Sequence, residues 1–321
     1  MQSEVHWPDA PIELGEVMPD RESVVALLER NAPYLPLGGW FRPDQDDDSP
    51  TSRMWFQKTL MGGEVCVEGS EMFVEHEGVL EAMRTFYDAE VIVPHTLFVN
   101  LMAGIPDGGP AHTDNPLFRG RDRLNTPMLL LRTMHWSGLF AEWETVQATS
   151  IWWMDDVEGG GILFWPDGPH HEPHRHFGAM SNTALVGDNH GMFHQVEPVG
   201  PFDQGDYWVT PRAEMGPASD GSGQWAVVDR GAEVYRAALD EIRVSVLLKA
   251  DVFRDSAQRE QVASDLLSME DVARIFNQDL KSRGIDLVFD LEKVGELPFL
   301  AALAAHYKEP RPIGARKSIF E

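Results

Sequence analysis

The sequence predicts a mainly β protein with flanking helices (α+β), and three observations carry that reading. Between residues 91 and 253 the chain breaks into short runs rich in β-branched and aromatic residues. Gly, Pro, Asp and Asn punctuate those runs, which is the texture of a sandwich or barrel and not of alternating βαβ units. On either side of this region the apolar residues recur with the helical period.

Taken in order, residues 1–50 carry eleven acids against three bases and end in the turn-forming stretch RPDQDDDSP, where no site is expected. Within them RESVVALLERNA (21–32) puts Val24, Val25, Leu27 and Leu28 on one helix face, and EGVLEAMRTFYDA (77–89) repeats the pattern. Strands are expected in VIVPHTLFVNLMA (91–103), TPMLLLRTMHWSGLF (126–140), TSIWWMD (149–155), GGILFWPDG (160–168), NTALVGDN (182–189), HQVEPVG (194–200) and IRVSVLLKADVF (242–253). WPDG (165–168) reads as a turn closing a hairpin. Residues 198–223 hold 5 Gly and 4 Pro in 26 positions, too broken for regular structure, and GAEVYRAALDE (231–241) reads as a helix. Helices return after Asp255, with Leu266, Leu267, Val272, Ile275 and Phe276 on one face, Gly284 as a stop, and ELPFLAALAAHYK (296–308) as the last. The expected organisation is a support region at 1–90, a β core at 91–255 with an insertion at about 198–232, and a helical extension at 256–321, integrated into one domain.

With 52 acids against 26 bases the chain carries a formal charge of −26, which argues against a nucleic-acid partner because a phosphate-tracking surface needs clustered Lys and Arg. The lone Cys66 excludes an intrachain disulfide, the N-terminus lacks the pattern of a secretion signal, and no apolar run approaches membrane-spanning length. A cytoplasmic protein with no membrane partner is expected.

The chemically suggestive segment is GGPAHTD (108–114). Residues two apart in a strand share a side, so His112 and Asp114 can offer an imidazole and a carboxylate to one metal ion. With 12 His and 26 Asp in 321 residues, about one His-x-Asp arises by chance, so a third ligand must complete the site. Two histidines and one carboxylate on one face form the triad of non-haem Fe(II) oxygenases. His170, His171, His174, His176, His190 and His194 are candidates for the second imidazole. His194 is favoured because it lies where a strand-like ALV and a turn lead into alternating His194, Val196 and Pro198.

These segments resemble the 2-oxoglutarate and Fe(II)-dependent oxygenase superfamily, in which a His-x-Asp and a later His on a hydrophobic strand ligate iron. The run VIVPHTLFVNLMAGIPDGGPAHTDNP is similar to the family's approach to the metal motif, with Asn100 as a polar inward residue. Ile-Arg-Val-Ser-Val (242–246) looks like the family's Arg-x-Ser, in which the arginine holds the distal carboxylate of 2-oxoglutarate. An arginine among Ile242, Val244, Val246, Leu247 and Leu248 needs an anionic partner, and its planar fork suits a carboxylate.

The resemblance implies a double-stranded β-helix, the jelly-roll or cupin-like core. It also implies Fe(II) on His112, Asp114 and His194, and 2-oxoglutarate on Arg243 with Ser245 and Asn100. O2 and 2-oxoglutarate would yield CO2 and succinate while a C–H bond of a small molecule is oxidised, by hydroxylation before desaturation or ring closure. One departure stands out: 49 residues separate His194 from Arg243 where the family's interval is short, and Arg132 in LLLRTMHW is the alternative carboxylate anchor.

Rival readings are a metal cupin that needs no 2-oxoglutarate and a non-catalytic metal-binding module. HHEPHRH (170–176) is expected to be an exposed loop. Arg119, Arg121 and Arg123, a basic exception after the metal motif, are candidate substrate contacts, as is Trp153. The C-terminal helices are expected to serve as a homodimer surface or as a buttress.

Overall fold

The computed structural model of the protein describes residues 7–18, 20–37, 49–50, 52–200 and 208–317. Most of the Asp-rich stretch at 42–50, and residues 201–207 of the expected insertion, lie outside the described residues.

The N-terminal region contains β1 (Ile12–Gly15), α1 (Arg21–Arg30), β2 (Leu35–Pro36), β3 (Ser52–Arg53), β4 (Trp55–Gly62), β5 (Val65–Cys66), α2 (Glu71–Val74) and α3 (Glu77–Tyr87). Helix α1 starts where the Asp20 side chain accepts the Ser23 N–H at 3.0 Å, and it buries Val24, Leu27 and Leu28 as its periodicity requires. Helix α3 uses the His76 ring as its N-cap acceptor and ends at Asp88 in the left-handed region.

The core follows with β6 (Val91–Met102), β7 (Gly108–His112), α4 (Met128–Ser137), β8 (Gln147–Trp153), β9 (Ile162–Trp165), β10 (His174–His176), β11 (Thr183–Gly187) and β12 (Phe193–Val196). After it come β13 (Trp208–Val209), β14 (Glu214–Pro217), β15 (Trp225–Asp229), β16 (Ala232–Ala237) and β17 (Arg243–Phe253). The chain closes with α5 (Ser256–Ser264), α6 (Met269–Ser282) and α7 (Leu297–Ala304).

The larger sheet has the order β1-β11-β8-β17-β6-β4-β2, with β5 on β4, and the smaller has β10-β9-β12-β7. Strands β6, β8, β11 and β17 lie in the larger sheet and β7, β9, β10 and β12 in the smaller, so the chain winds between the two and builds a double-stranded β-helix. The expected jelly roll is therefore present.

Strand alternation sorts every side chain. Val244, Val246, Leu248 and Ala250 of β17, Ala148 and Trp152 of β8, and Ala184 and Val186 of β11 join a cluster on the outer face of the larger sheet. That cluster includes Val24, Leu27 and Leu28 of α1 and Val79 and Met83 of α3. The intervening Ile151, Trp153 and Leu185 meet Ile162 and Phe164 of the smaller sheet between the two layers. Behind the smaller sheet, Leu163, Trp165 and Phe193 pack on Trp136 of α4.

Several elements differ from the sequence expectation. Residues 126–140 supply helix α4 instead of a strand, because Pro127 precedes a run of Met and Leu, none of them β-branched, and Gly138 closes it in the left-handed region. Residues 231–241 are a strand and a short 3-10 turn instead of a helix. Arg230 and Gly231, both at positive φ, make a two-residue turn that pairs Asp229 with Ala232. The described part of the insertion is thus largely regular: β14, β15 and β16 form an antiparallel sheet whose Met215, Trp225, Val227 and Ala237 pack into the outer-face cluster. These strands back the larger sheet. Strands β1 and β4, unread in the sequence, extend the larger sheet at both edges. His174–His176 is strand β10 on β9 instead of open loop, with His176 buried. The C-terminal helices cluster with α4 and the turn after it through Phe276, Leu280, Leu300, Leu130 and Phe140.

Candidate metal and anion site

Strands β7 and β12 are antiparallel neighbours in which His112 and His194 are direct cross-strand partners, with ring centroids 4.5 Å apart. The pairing demands glycine at 108: a Cβ there would stand 2.3 Å from the Val196 carbonyl oxygen. Asp114 lies just beyond β7, and its N–H donates to the Asn189 carbonyl at 2.7 Å, which fastens it to the turn preceding β12. One ligand atom from each of His112, Asp114 and His194 then lies within 4.8 Å of the others, as the sequence predicts.

The donor chemistry suits a metal. The His112 Nδ1 lies 2.9 Å from the Pro110 carbonyl oxygen, and the His194 Nδ1 lies 3.2 Å from that of Met192. A carbonyl only accepts, so both Nδ1 atoms carry a proton, and Nε2 is the nitrogen each ring has left for a metal. Burial, and after it the neighbouring His112, pushes His194 down to about 4, which keeps it neutral at pH 7. For Asp114 burial alone would raise the carboxyl, but Lys249 and then His194 and His190 outweigh it and hold the group well below the usual carboxylate range. The Lys249 ammonium donates to Asp114 Oδ2 at 2.6 Å.

Arg243, at the start of β17, faces the same interior and is 3% exposed. Its Nε donates to the Gly160 carbonyl at 2.7 Å, its Nη1 donates to the Ser245 hydroxyl at 3.0 Å, and its guanidinium lies 5.6 Å from the Trp153 ring. Gly160, at φ +68°, allows this approach, because a Cβ would meet the Arg243 Cδ at 2.9 Å. Among the described residues no carboxylate pairs with Arg243, and burial pulls the guanidinium down to about 9, still charged at neutral pH.

One row crosses the larger sheet at this level, with Trp153, Ser245, Asn100 and Gln57 as successive partners. The Asn100 oxygen accepts from Trp55 Nε1 at 3.1 Å and Gln57 Nε2 at 2.9 Å. The Trp153 Nε1 is buried without a hydrogen-bond partner. An apolar cavity lined by Ile151, Ile162, Phe164, Leu185 and Met192 reaches His194.

The other named residues fall elsewhere. Arg119 donates to the Asp265 carbonyl at 2.9 Å and also bonds the Asp265 carboxylate and the Glu142 carbonyl. Arg121 donates to the Leu267 carbonyl at 2.8 Å. Both fasten their loop to the C-terminal helices, and Arg123 is exposed on the same loop. Arg132, on α4, pairs with Glu309 and also donates to the Thr113 carbonyl at 3.4 Å. His190 is buried but outside the triad cluster, and burial pushes it down to about 3. His170, His171 and His174 are exposed.

Lys249 is the site residue that the sequence reading passed over. Its signal was its place in the alternation Arg243, Ser245, Leu247, Lys249.

No family model matches the chain, and no curated protein matches it. Solved structures that it resembles include a 2OG-Fe(II) oxygenase family oxidoreductase from Burkholderia pseudomallei, at 14% identity and a TM-score of 0.40, over 78% of this chain and 87% of that one. Another is a prolyl hydroxylase in complex with a hypoxia inducible factor peptide fragment from Trichoplax adhaerens, at 11% identity and a TM-score of 0.42, over 80% and 86%. A third is HygX from Streptomyces hygroscopicus, with nickel, 2-oxoglutarate and hygromycin B bound, at 8% identity and a TM-score of 0.37, over 76% and 83%. At these levels the likeness carries no functional weight, which falls on this chain's own residues.

Proposed function

We propose that the protein is a non-haem Fe(II)- and 2-oxoglutarate-dependent dioxygenase acting on a small molecule. The observation that carries the reading is Arg243. A buried cation without a carboxylate partner among the described residues faces the interior that also holds two imidazoles and a carboxylate. An unpaired buried charge is costly, so the position calls for an anion supplied from outside.

2-Oxoglutarate would offer a carboxylate to Arg243 and Ser245 and a 2-oxo acid to a metal at the triad. His112, Asp114 and His194 would hold the iron. Arg243 would grip the distal carboxylate through its remaining donors, with the Ser245 hydroxyl alongside and Asn100 bracing the row from the neighbouring strand. The unpartnered Trp153 N–H is a further donor beside that end. Bound iron and 2-oxoglutarate would supply oxygen activation, one atom of O2 passing to succinate as CO2 leaves and the other to the substrate. The chain's part is to orient the ligands, exclude water between the sheets and fix the cosubstrate.

The test is an assay of O2 uptake and succinate formation with Fe(II) and 2-oxoglutarate. Wild type should form succinate. His112→Ala and Asp114→Ala should abolish it, and Arg243→Gln should raise the apparent KM for 2-oxoglutarate by roughly ten- to a hundredfold, the worth of a charge-assisted hydrogen bond pair. Turnover indifferent to 2-oxoglutarate and to Arg243→Gln would favour the metal cupin reading.

A further inference from the structure

We infer that Lys249 is a positioning residue that holds the outer oxygen of Asp114, so that the carboxylate offers a metal one oxygen and not two. The inference rests on reading His112, Asp114 and His194 as a metal site. Two distances carry it. Asp114 Oδ2 lies 2.6 Å from the Lys249 ammonium, and Oδ1 lies 3.9 Å from the His194 Nε2 that carries a lone pair. The two oxygens are thus divided between a fixed cation and the ligand cluster.

Lys249 is well placed to hold that division. Strand β17 is central in the larger sheet, paired with β6 and β8, and Lys249 lies between Thr96 and Thr149 on its two neighbours. The ammonium is largely withdrawn from water, with 15% of the side chain exposed. A half-buried cation keeps its counter-ion, because separating the pair leaves two uncompensated charges.

The consequence concerns open coordination positions. An octahedral ion held by two imidazoles and one carboxylate oxygen retains three. A carboxylate that chelates through both oxygens leaves two, too few for a bidentate 2-oxo acid and a further ligand. Lys249 therefore protects the vacancy that the proposed cosubstrate needs. Its positive charge also opposes the incoming dication, so Lys249 favours the geometry of metal binding over its strength.

The experiment uses Co(II) as a spectroscopic probe on the full chain. Wild type should take up one Co(II), with a d–d absorption spectrum that changes when 2-oxoglutarate is added. Lys249→Met, shown to be folded by its thermal melt, should bind Co(II) at least as tightly. Its d–d spectrum should be altered, and its affinity for 2-oxoglutarate should fall about tenfold or more, the scale of effect seen for groups that orient metal ligands. A folded Lys249→Met with the wild-type spectrum and wild-type 2-oxoglutarate affinity overturns the inference while leaving the metal site standing. Failure of wild type to bind Co(II) overturns the metal reading itself. A crystal structure of Co(II)-loaded wild type decides without any variant. One Asp114 oxygen on the metal and the other on Lys249 is the expected result, and both oxygens on the metal is the contrary one.

Discussion

At the scale of single residues, the site is built from groups whose charge states are set by burial and by one another. His194 and His190 are pushed down to about 4 and about 3 by burial, and His95 and His176 are lowered for the same first reason. A histidine with a depressed folded value binds fewer protons in the folded than in the unfolded chain between that value and about 6.5. Stability contributed by these groups is therefore present above pH 6.5 and is lost as the pH falls towards 4. Asp114, held low by Lys249, adds a separate loss only below its ordinary value of 3.8, outside that window. The metal-free protein should melt at a clearly lower temperature at pH 5 than at pH 7, and His190→Gln should flatten that slope; equal melting temperatures at the two pH values would contradict it. Each deeply shifted histidine contributes on the order of a few kcal/mol across the window. The triad was legible in the sequence because His112 and Asp114 stand two residues apart and His194 heads a later strand-like run. Lys249 was not, because a lysine in an apolar strand reads as a surface residue until its partner across the roll is known.

At the scale of elements, the ligand set depends on the pairing of β7 with β12. Gly108 is the tightest point of that pair, since its Cβ would enter the Val196 carbonyl. Gly108→Ala should force the strands apart, cost roughly 1–3 kcal/mol in a denaturant melt, and weaken metal binding without touching a ligand. An unchanged metal affinity would show that the cross-strand register of His112 and His194 is not what assembles the site. The strands of the roll were readable because their apolar runs are bounded by turn residues. Residues 126–140 and 231–241 were not, for opposite reasons. The first is apolar throughout, and such a run suits a buried helix as well as a strand. In the second, Ala, Glu and Arg suggest a helix, but Arg230 and Gly231 in the left-handed region impose a hairpin that no Asn-Gly or Asp-Gly announces.

At the scale of the whole molecule, the charge of −26 belongs to the surface, whereas the space between the sheets holds Arg243 and Lys249. A chain with that excess repels itself, and salt screens the repulsion over a distance near 10 Å at about 0.1 M. Raising NaCl from about 0.01 to about 0.2 M should therefore raise the melting temperature, and a fall would mean that attractive surface pairs outweigh the acid excess. The long His194-to-Arg243 interval has a structural account: the described part of the insertion packs behind the larger sheet, so it lengthens the chain without displacing Arg243 from the interior. The C-terminal helices buttress α4, and through it the back of the smaller sheet.

The central claim is that one interior binds a metal and 2-oxoglutarate together. The most direct measurement is anaerobic titration of the protein with Fe(II) and 2-oxoglutarate, watched in the visible range. A weak charge-transfer band that appears only when both are present, and is lost in His112→Ala and His194→Ala, is the predicted result. No band in the wild-type protein, or a band that survives both substitutions, would contradict the account.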